Sequence, residues 1–410
     1  MKTAYGHLTY CTNIHAGENW SDHFAALRKH VPKIRKALAP EAPFAIGLRL
    51  SHMASLELGK EDRLEEFEAW LKSENCYVGV INGFPYGGFH HTRVKDQVHA
   101  PDWTTQDRVI YTAQLFRILS VLLPEGMEGG VSTSPLSYKL WHSEVREERL
   151  AAIETATENI LKVLQSLIAL RESTEKLMHL DIEPEPDGIL GNGEEFIAWY
   201  RDHLIPHGVA YLGKHLDYKE NQALAAIRDH IRVCYDICHF AVGYEDHAQR
   251  LQELESVGVK IGRFQVSAAL KADMAPNPID RDKVIEAFKP FNESTYLHQV
   301  VARQEDGSQL SYPDLPEALA DARNIGTREW RSHFHAPLFV SDYGVLQSTQ
   351  NDILEVLRFQ RERQRTAWLE VETYTWEVLP RQMRLPIDES IMRELQWVQT
   401  ALENNRSEDE

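Results

Sequence analysis

The feature that most constrains this chain is a regular alternation of short, β-rich apolar runs with longer stretches of helical periodicity. Eight runs qualify, at residues 7–11, 44–50, 77–82, 130–133, 177–182, 231–237, 260–266 and 368–374. Several are apolar throughout, as strands covered on both faces must be. Helical patterns fill the gaps at 22–38, 61–72, 105–123, 145–170, 193–205, 246–257 and 350–365, and a last one follows at 390–403. This predicts an α/β fold of parallel strands clothed in helices, and eight strands suit a closed (β/α)8 TIM barrel. An open doubly wound sheet competes with it. Such a sheet usually carries a G-x-G-x-x-G turn after its first strand, and Thr12-Asn13-Ile14-His15-Ala16-Gly17 is not one.

Two more β-like runs, 296–302 and 333–340, fall between the seventh and eighth strands. They are expected to form an insertion at about 290–345, within one barrel domain of residues 1–402 that ends in an acidic, disordered tail at 403–410. The formal net charge of −18 repels nucleic-acid phosphates, so no nucleic-acid partner is expected. Lys29, Lys33, Arg35 and Lys36 sit at helical spacing and read as a solvated helix face. Four scattered cysteines do not make a disulfide framework. No apolar run approaches the roughly 20 residues that span a bilayer, so the chain is not expected to be membrane-embedded and the expected compartment is the cytoplasm.

In such barrels chemistry sits where strands end. Ionisable and polar groups recur at that end of nearly every expected strand. Three carboxylates, Glu183, Asp236 and Glu372, come from three segments far apart in sequence and would converge at the mouth. Converging like charges repel, and one divalent cation is the simplest compensation. Oxygen ligands with an imidazole suit Mn, Mg or Zn. Each residue has a structural alternative: Glu183 as a helix cap, Asp236 as partner of Arg49 or Arg263, Glu372 in an ion pair. His239 follows Asp236 by three residues, and His333-Phe334-His335 places two imidazoles on one face of an extended segment. His298, and His90 with His91, are further candidates.

These residues carry a resemblance. Glu183-Pro184, Asp236-x-x-His239 and a late strand bearing Glu372 resemble the xylose isomerase-like and AP-endonuclease-like barrel superfamily. The resemblance implies a metal held by a strand-end Glu, an Asp, a His and a final Glu. Longer stretches, Leu8 to His15, Asn82 to Gly87 with Val94-Lys95 and Pro101-Asp102-Trp103, Cys234 to His239 and Leu369 to Trp376, resemble the EboE-type metabolite traffic family. That family is similar to sugar phosphate isomerases, and it implies a sugar- or cyclitol-derived substrate and a membrane-bound, prenyltransferase-like pathway partner. One ligand departs from the superfamily pattern: Gln265 stands where a histidine is expected, with His335 or His298 as replacement imidazoles.

The expected function is therefore a metal-dependent isomerase or epimerase for a sugar or cyclitol derivative, phosphorylated or not. Glu183 and Glu372 would exchange a proton through an enediolate. The expected metal ligands are Glu183, Asp236, Gln265, His335 and Glu372. His239, Asn82, Arg49, Lys95, Tyr86 and His15 are expected to contact substrate, with Tyr10, Phe84 and Trp376 as further ring-stacking candidates. A non-catalytic carrier with a decayed metal site, favoured by Gln265, and a metal-dependent phosphoesterase on the same fold are the alternatives.

Overall fold

The computed structural model describes residues 1–404 except His91, Ser143, Glu144, Val378 and residues 380–383. Eight parallel strands form its centre: β1 (Gly6–Tyr10), β2 (Phe44–Arg49), β3 (Cys76–Asn82), β4 (Gly129–Thr133), β5 (Met178–Ile182), β6 (Ile231–Asp236), β7 (Ile261–Val266) and β8 (Trp368–Val371). Each pairs with its sequence neighbour from β2 to β8, and β8 pairs with β1. The ring closes between β1 and β2 through a parallel bridge from Cys11 to Gly47 and a 2.9 Å bond from Thr9 Oγ1 to the Ala45 carbonyl. The architecture is thus a (β/α)8 barrel. A two-residue strand, Lys2–Thr3, folds back antiparallel on β1.

Strands β2 to β7 are buried at every position, which is why their sequences read as continuous apolar runs rather than alternations. The few inward polar groups neutralise one another. Arg263 on β7 donates to Asp181 at 3.1 Å, to Glu370 at 2.9 Å and to the Gly130 carbonyl at 2.7 Å. These two carboxylates raise the Arg263 pKa despite full burial. Below them Trp368 fills the barrel floor, where a Cβ on Gly79 would lie 1.9 Å from its ring. Glycine is therefore the residue that permits this close approach.

Between β7 and β8 the chain builds a second, six-stranded antiparallel sheet. In spatial order its strands are Gln309–Tyr312, Val300–Gln304, Thr327–Ser332, Leu270–Asp273, Leu346–Ser348 and Asp342–Tyr343. The sheet starts earlier and ends later than the expected 290–345. Its central strand is 327–332, which lay between the two expected runs, and residues 333–340 are irregular rather than β. Glu403 ends the last helix, Ile387–Glu403, and residues 405–410 of the expected tail lie outside the described residues. No helix among the described residues is long and apolar enough to cross a membrane.

Candidate metal centre

Glu183 follows β5, Asp236 ends β6 and Glu372 follows β8. The barrel brings all three to its mouth, where each offers an oxygen within 4.8 Å of the others. Among the described residues none is paired with an arginine: Arg263 holds Asp181 and Glu370 one layer down, and Arg49 pairs with Glu18 at 3.0 Å. The alternative of Asp236 as partner of Arg49 or Arg263 is thus not the arrangement seen, and the ion-pair neighbour of Glu372 is His335, whose Nδ1 lies 3.9 Å from Oε2.

Each ligand candidate is oriented by its own surroundings. Asp236 caps the short helix Ile237–Val242, its Oδ1 accepting from His239 N at 3.2 Å and from Ser267 Oγ at 2.6 Å. Glu372 Oε1 accepts from the side-chain amides of Asn13 and Asn82, both at 2.8 Å. His335 turns Nδ1 to the Glu372 carbonyl at 2.7 Å, which leaves Nε2 facing Asp236 Oδ2 at 3.8 Å. Glu183 Oε2, Asp236 Oδ2 and His335 Nε2 are buried without a hydrogen-bond partner among the described residues. Buried polar atoms are rarely left so, and a cation is the natural partner for two carboxylate oxygens and an imidazole nitrogen. The donor set fits one divalent ion.

A second group adjoins the first. Glu185, His239 and His333 also offer atoms within 4.8 Å of one another. His239 Nε2 lies 3.2 Å from His333 Nε2, and its Nδ1 lies 3.0 Å from the Pro184 carbonyl. His333 and His335 follow directly from strand 327–332, so the inserted sheet supplies both imidazoles. Between them Phe334 turns away, packing on Phe291 and His298.

Burial sets the electrostatics. It pushes the Glu183 carboxyl well above the usual range, with the Glu372 and Asp236 charges adding to the effect. Glu372 is raised in the same way by burial and by Asp236. Burial lifts Glu185 to about 8. It lowers His335 to about 4 and His239 and His333 below their ordinary value, so these rings are neutral, as ligands must be.

A cavity, half open to solvent, lies over the centre. Asn82, Lys95, Glu183, His239, His335 and Glu372 of the expected site residues line it. Others are held elsewhere. Gln265 Oε1 accepts from the Cys234 thiol at 3.0 Å, outside that lining. Arg49 is engaged by Glu18 and by the Gly87 carbonyl. Tyr86 stacks on His52 at 4.5 Å, and His15 bonds Tyr10 Oη at 3.0 Å and stacks on His30. His298 bonds Glu293 at 2.8 Å and the His333 carbonyl at 3.0 Å. His90 bonds the Asn13 carbonyl, and His91 lies outside the described residues. Asn13 and Glu185 were not singled out from sequence. Glu185 had a signal in its place two residues beyond Glu183, whereas Asn13 meets Glu372 across 359 residues and had none.

No protein-family model matches the chain, and none of the curated proteins does. Among solved structures it is similar to a xylose isomerase-like TIM barrel protein from Mycobacterium smegmatis in complex with magnesium, at 12% identity and a TM-score of 0.47, over 98% of this chain and all of that one. It is similar to D-psicose 3-epimerase in the presence of D-fructose at 10% identity and a TM-score of 0.48, over 97% of this chain and all of the other. A third is the probable 3-DHS dehydratase AsbF from Bacillus anthracis, at 11% identity and a TM-score of 0.44, over 98% of this chain and all of that one.

Proposed function

We propose that the chain is a metal-dependent isomerase or epimerase of the xylose isomerase-like kind, acting on a sugar- or cyclitol-derived substrate. The observation that carries this reading is the convergence of Glu183, Asp236 and Glu372, with His335 beside them and no arginine paired with them among the described residues. Glu183, Asp236, Glu372 and His335 would hold the ion. A divalent cation there supplies positive charge that stabilises an oxyanion and so acidifies the adjacent C–H.

The chain's own residues do the rest. Asn13 and Asn82 fix Glu372 through Oε1 and leave its second oxygen to the cavity. Glu183 and Glu372, whose carboxyls burial raises well above the ordinary range, are suited to taking a proton from one carbon and returning it to its neighbour. Glu185 and His239 stand where substrate hydroxyls would be received. Gln265, offered from sequence as a weak ligand, does not count for a decayed site in this reading, since His335 provides the imidazole. A metabolite-traffic pathway with a prenyltransferase-like membrane partner rests only on the sequence stretches that resemble the EboE-type family.

The test is elemental analysis of purified protein beside Glu183→Gln and Asp236→Asn. Each substitution is expected to weaken metal binding at least about ten-fold, the loss that removing even an outer-shell partner causes, and so to lower the metal retained. Unchanged metal in both variants ends the ligand assignment. Solvent-deuterium exchange into a panel of sugars and cyclitols then tests proton transfer. The adjoining group of Glu185, His239 and His333 favours a second reading, a small-molecule phosphoesterase with more than one ion. Two or more metals per chain together with phosphate release would select it.

A further inference from the structure

One part of the lining of the cavity over the centre is apolar. Phe89, Val94 and Tyr296, with Val98 and Tyr374 against them, form a small cluster separate from the barrel core. The three rings meet at centroid distances of 5.0, 5.1 and 5.0 Å, and Tyr374 stands 4.7 Å from the His335 ring. The apolar wall therefore begins at the metal centre. Tyr296 Oη donates to the Phe89 carbonyl at 3.1 Å, so its hydroxyl is turned to backbone. Leu297 extends the same wall.

Lys95 is the one lysine or arginine among the described lining residues. Its ammonium is held by the Asp314 carboxylate and by the Glu293 carbonyl at 3.2 Å. It is thus neutralised before any ligand arrives. A free hexose has hydroxyls on every side, and this wall would strip water from some of them without replacing it. A phosphate at this wall would find no free lysine or arginine among the described lining residues, since Lys95 is occupied.

We propose that the substrate of this site is bipolar: a polyol or sugar head with vicinal oxygens at the carboxylate–imidazole end, joined to an uncharged apolar substituent that lies against Phe89, Tyr296, Val98 and Leu297. The inference rests on the function proposed above and narrows its substrate class to glycoside-like or otherwise hydrophobically substituted polyols, without phosphate.

Calorimetric titration of the full chain with matched probes tests it: D-glucose, D-galactose and D-xylose, their phenyl β-glycosides, and D-glucose 6-phosphate. At least one phenyl glycoside is expected to bind about ten-fold or more tighter than its parent sugar, from burial of the ring. The sugar phosphate is expected to bind no better than glucose. Val98 is half-buried, so Val98→Asn is tolerated sterically and is expected to reduce the preference several-fold. No preference in any pair, tightest binding by the phosphate, or an unaltered preference in Val98→Asn would overturn the proposal. Metal content of the same samples keeps the two readings apart. A metal-free protein that still prefers phenyl glycosides retains the apolar wall and loses the isomerase.

Discussion

Glu372 Oε1 takes two amide donors, and Asp236 Oδ1 takes one hydroxyl and one amide donor, so each carboxylate is clamped through one oxygen and presents the other. Burial raises Glu183 and Glu372, so in the metal-free site these groups hold protons at pH values where ordinary carboxylates do not. The imidazoles, already neutral, release none. Metal uptake must therefore eject protons, and apparent affinity must rise with pH. Titration of Mn²⁺ into weakly buffered apoprotein is expected to acidify the solution, with tighter binding at pH 8 than at pH 6. A pH-independent affinity without proton release would contradict the clamped-carboxylate picture. The three carboxylates were legible in sequence because an acidic residue ending an apolar strand demands compensation. The pair His333 and His335 was legible by spacing. The second contacts of Arg49, Tyr86 and His15 were not, since each is fixed by a partner that spacing does not reveal.

At the level of elements, all eight barrel strands were legible within a residue or two at their starts, because a strand covered on both faces leaves an unbroken apolar run. The last was read too long: β8 ends at Val371, and Glu372 to Tyr374 leave the sheet to form the rim. The inserted sheet was read poorly. Its central strand, Thr-Arg-Glu-Trp-Arg-Ser at 327–332, carries charged residues that pair on a half-covered sheet and give no apolar run. The barrel floor makes a stability prediction. Gly79→Ala would drive a methyl into Trp368 and is expected to cost on the order of 1–3 kcal/mol, read as a lower urea midpoint. An unaltered midpoint would mean the Trp368 ring is not fixed there. The last helix makes another. Glu394 is buried under Leu338, whose N–H it accepts at 3.3 Å, and burial lifts its carboxyl to about 8 from an ordinary 4.5. The folded state then binds a proton that the unfolded state has lost. Stability is expected to fall as pH rises from about 4.5 to about 8, by up to about 1.4 kcal/mol per pH unit. Glu394→Gln should flatten that slope; an identical pH profile in wild type and variant would remove Glu394 as its source.

For the whole molecule, the centre ties together β5, β6, β8 and the inserted sheet, which are far apart in sequence. A ligand bound only by the folded state stabilises it by mass action. Removing divalent ions with a chelator is expected to lower the melting temperature by several degrees, and adding back Mn²⁺ should restore it; a melting curve indifferent to both would mean that no ion links these parts. The acidic balance of −18 also belongs to this scale, since it disfavours polyanionic partners while a small neutral ligand is unaffected.

The alternation of His333, Phe334 and His335 at the end of strand 327–332 makes the centre a reader of register. Advancing or retarding that segment by a single residue would exchange two nitrogen donors for one phenyl ring, however well the sheet itself re-paired. Length changes between this strand and the barrel mouth should therefore be poorly tolerated, while the exposed turn at 305–308, on the far side of the strand's partner, is free to lengthen.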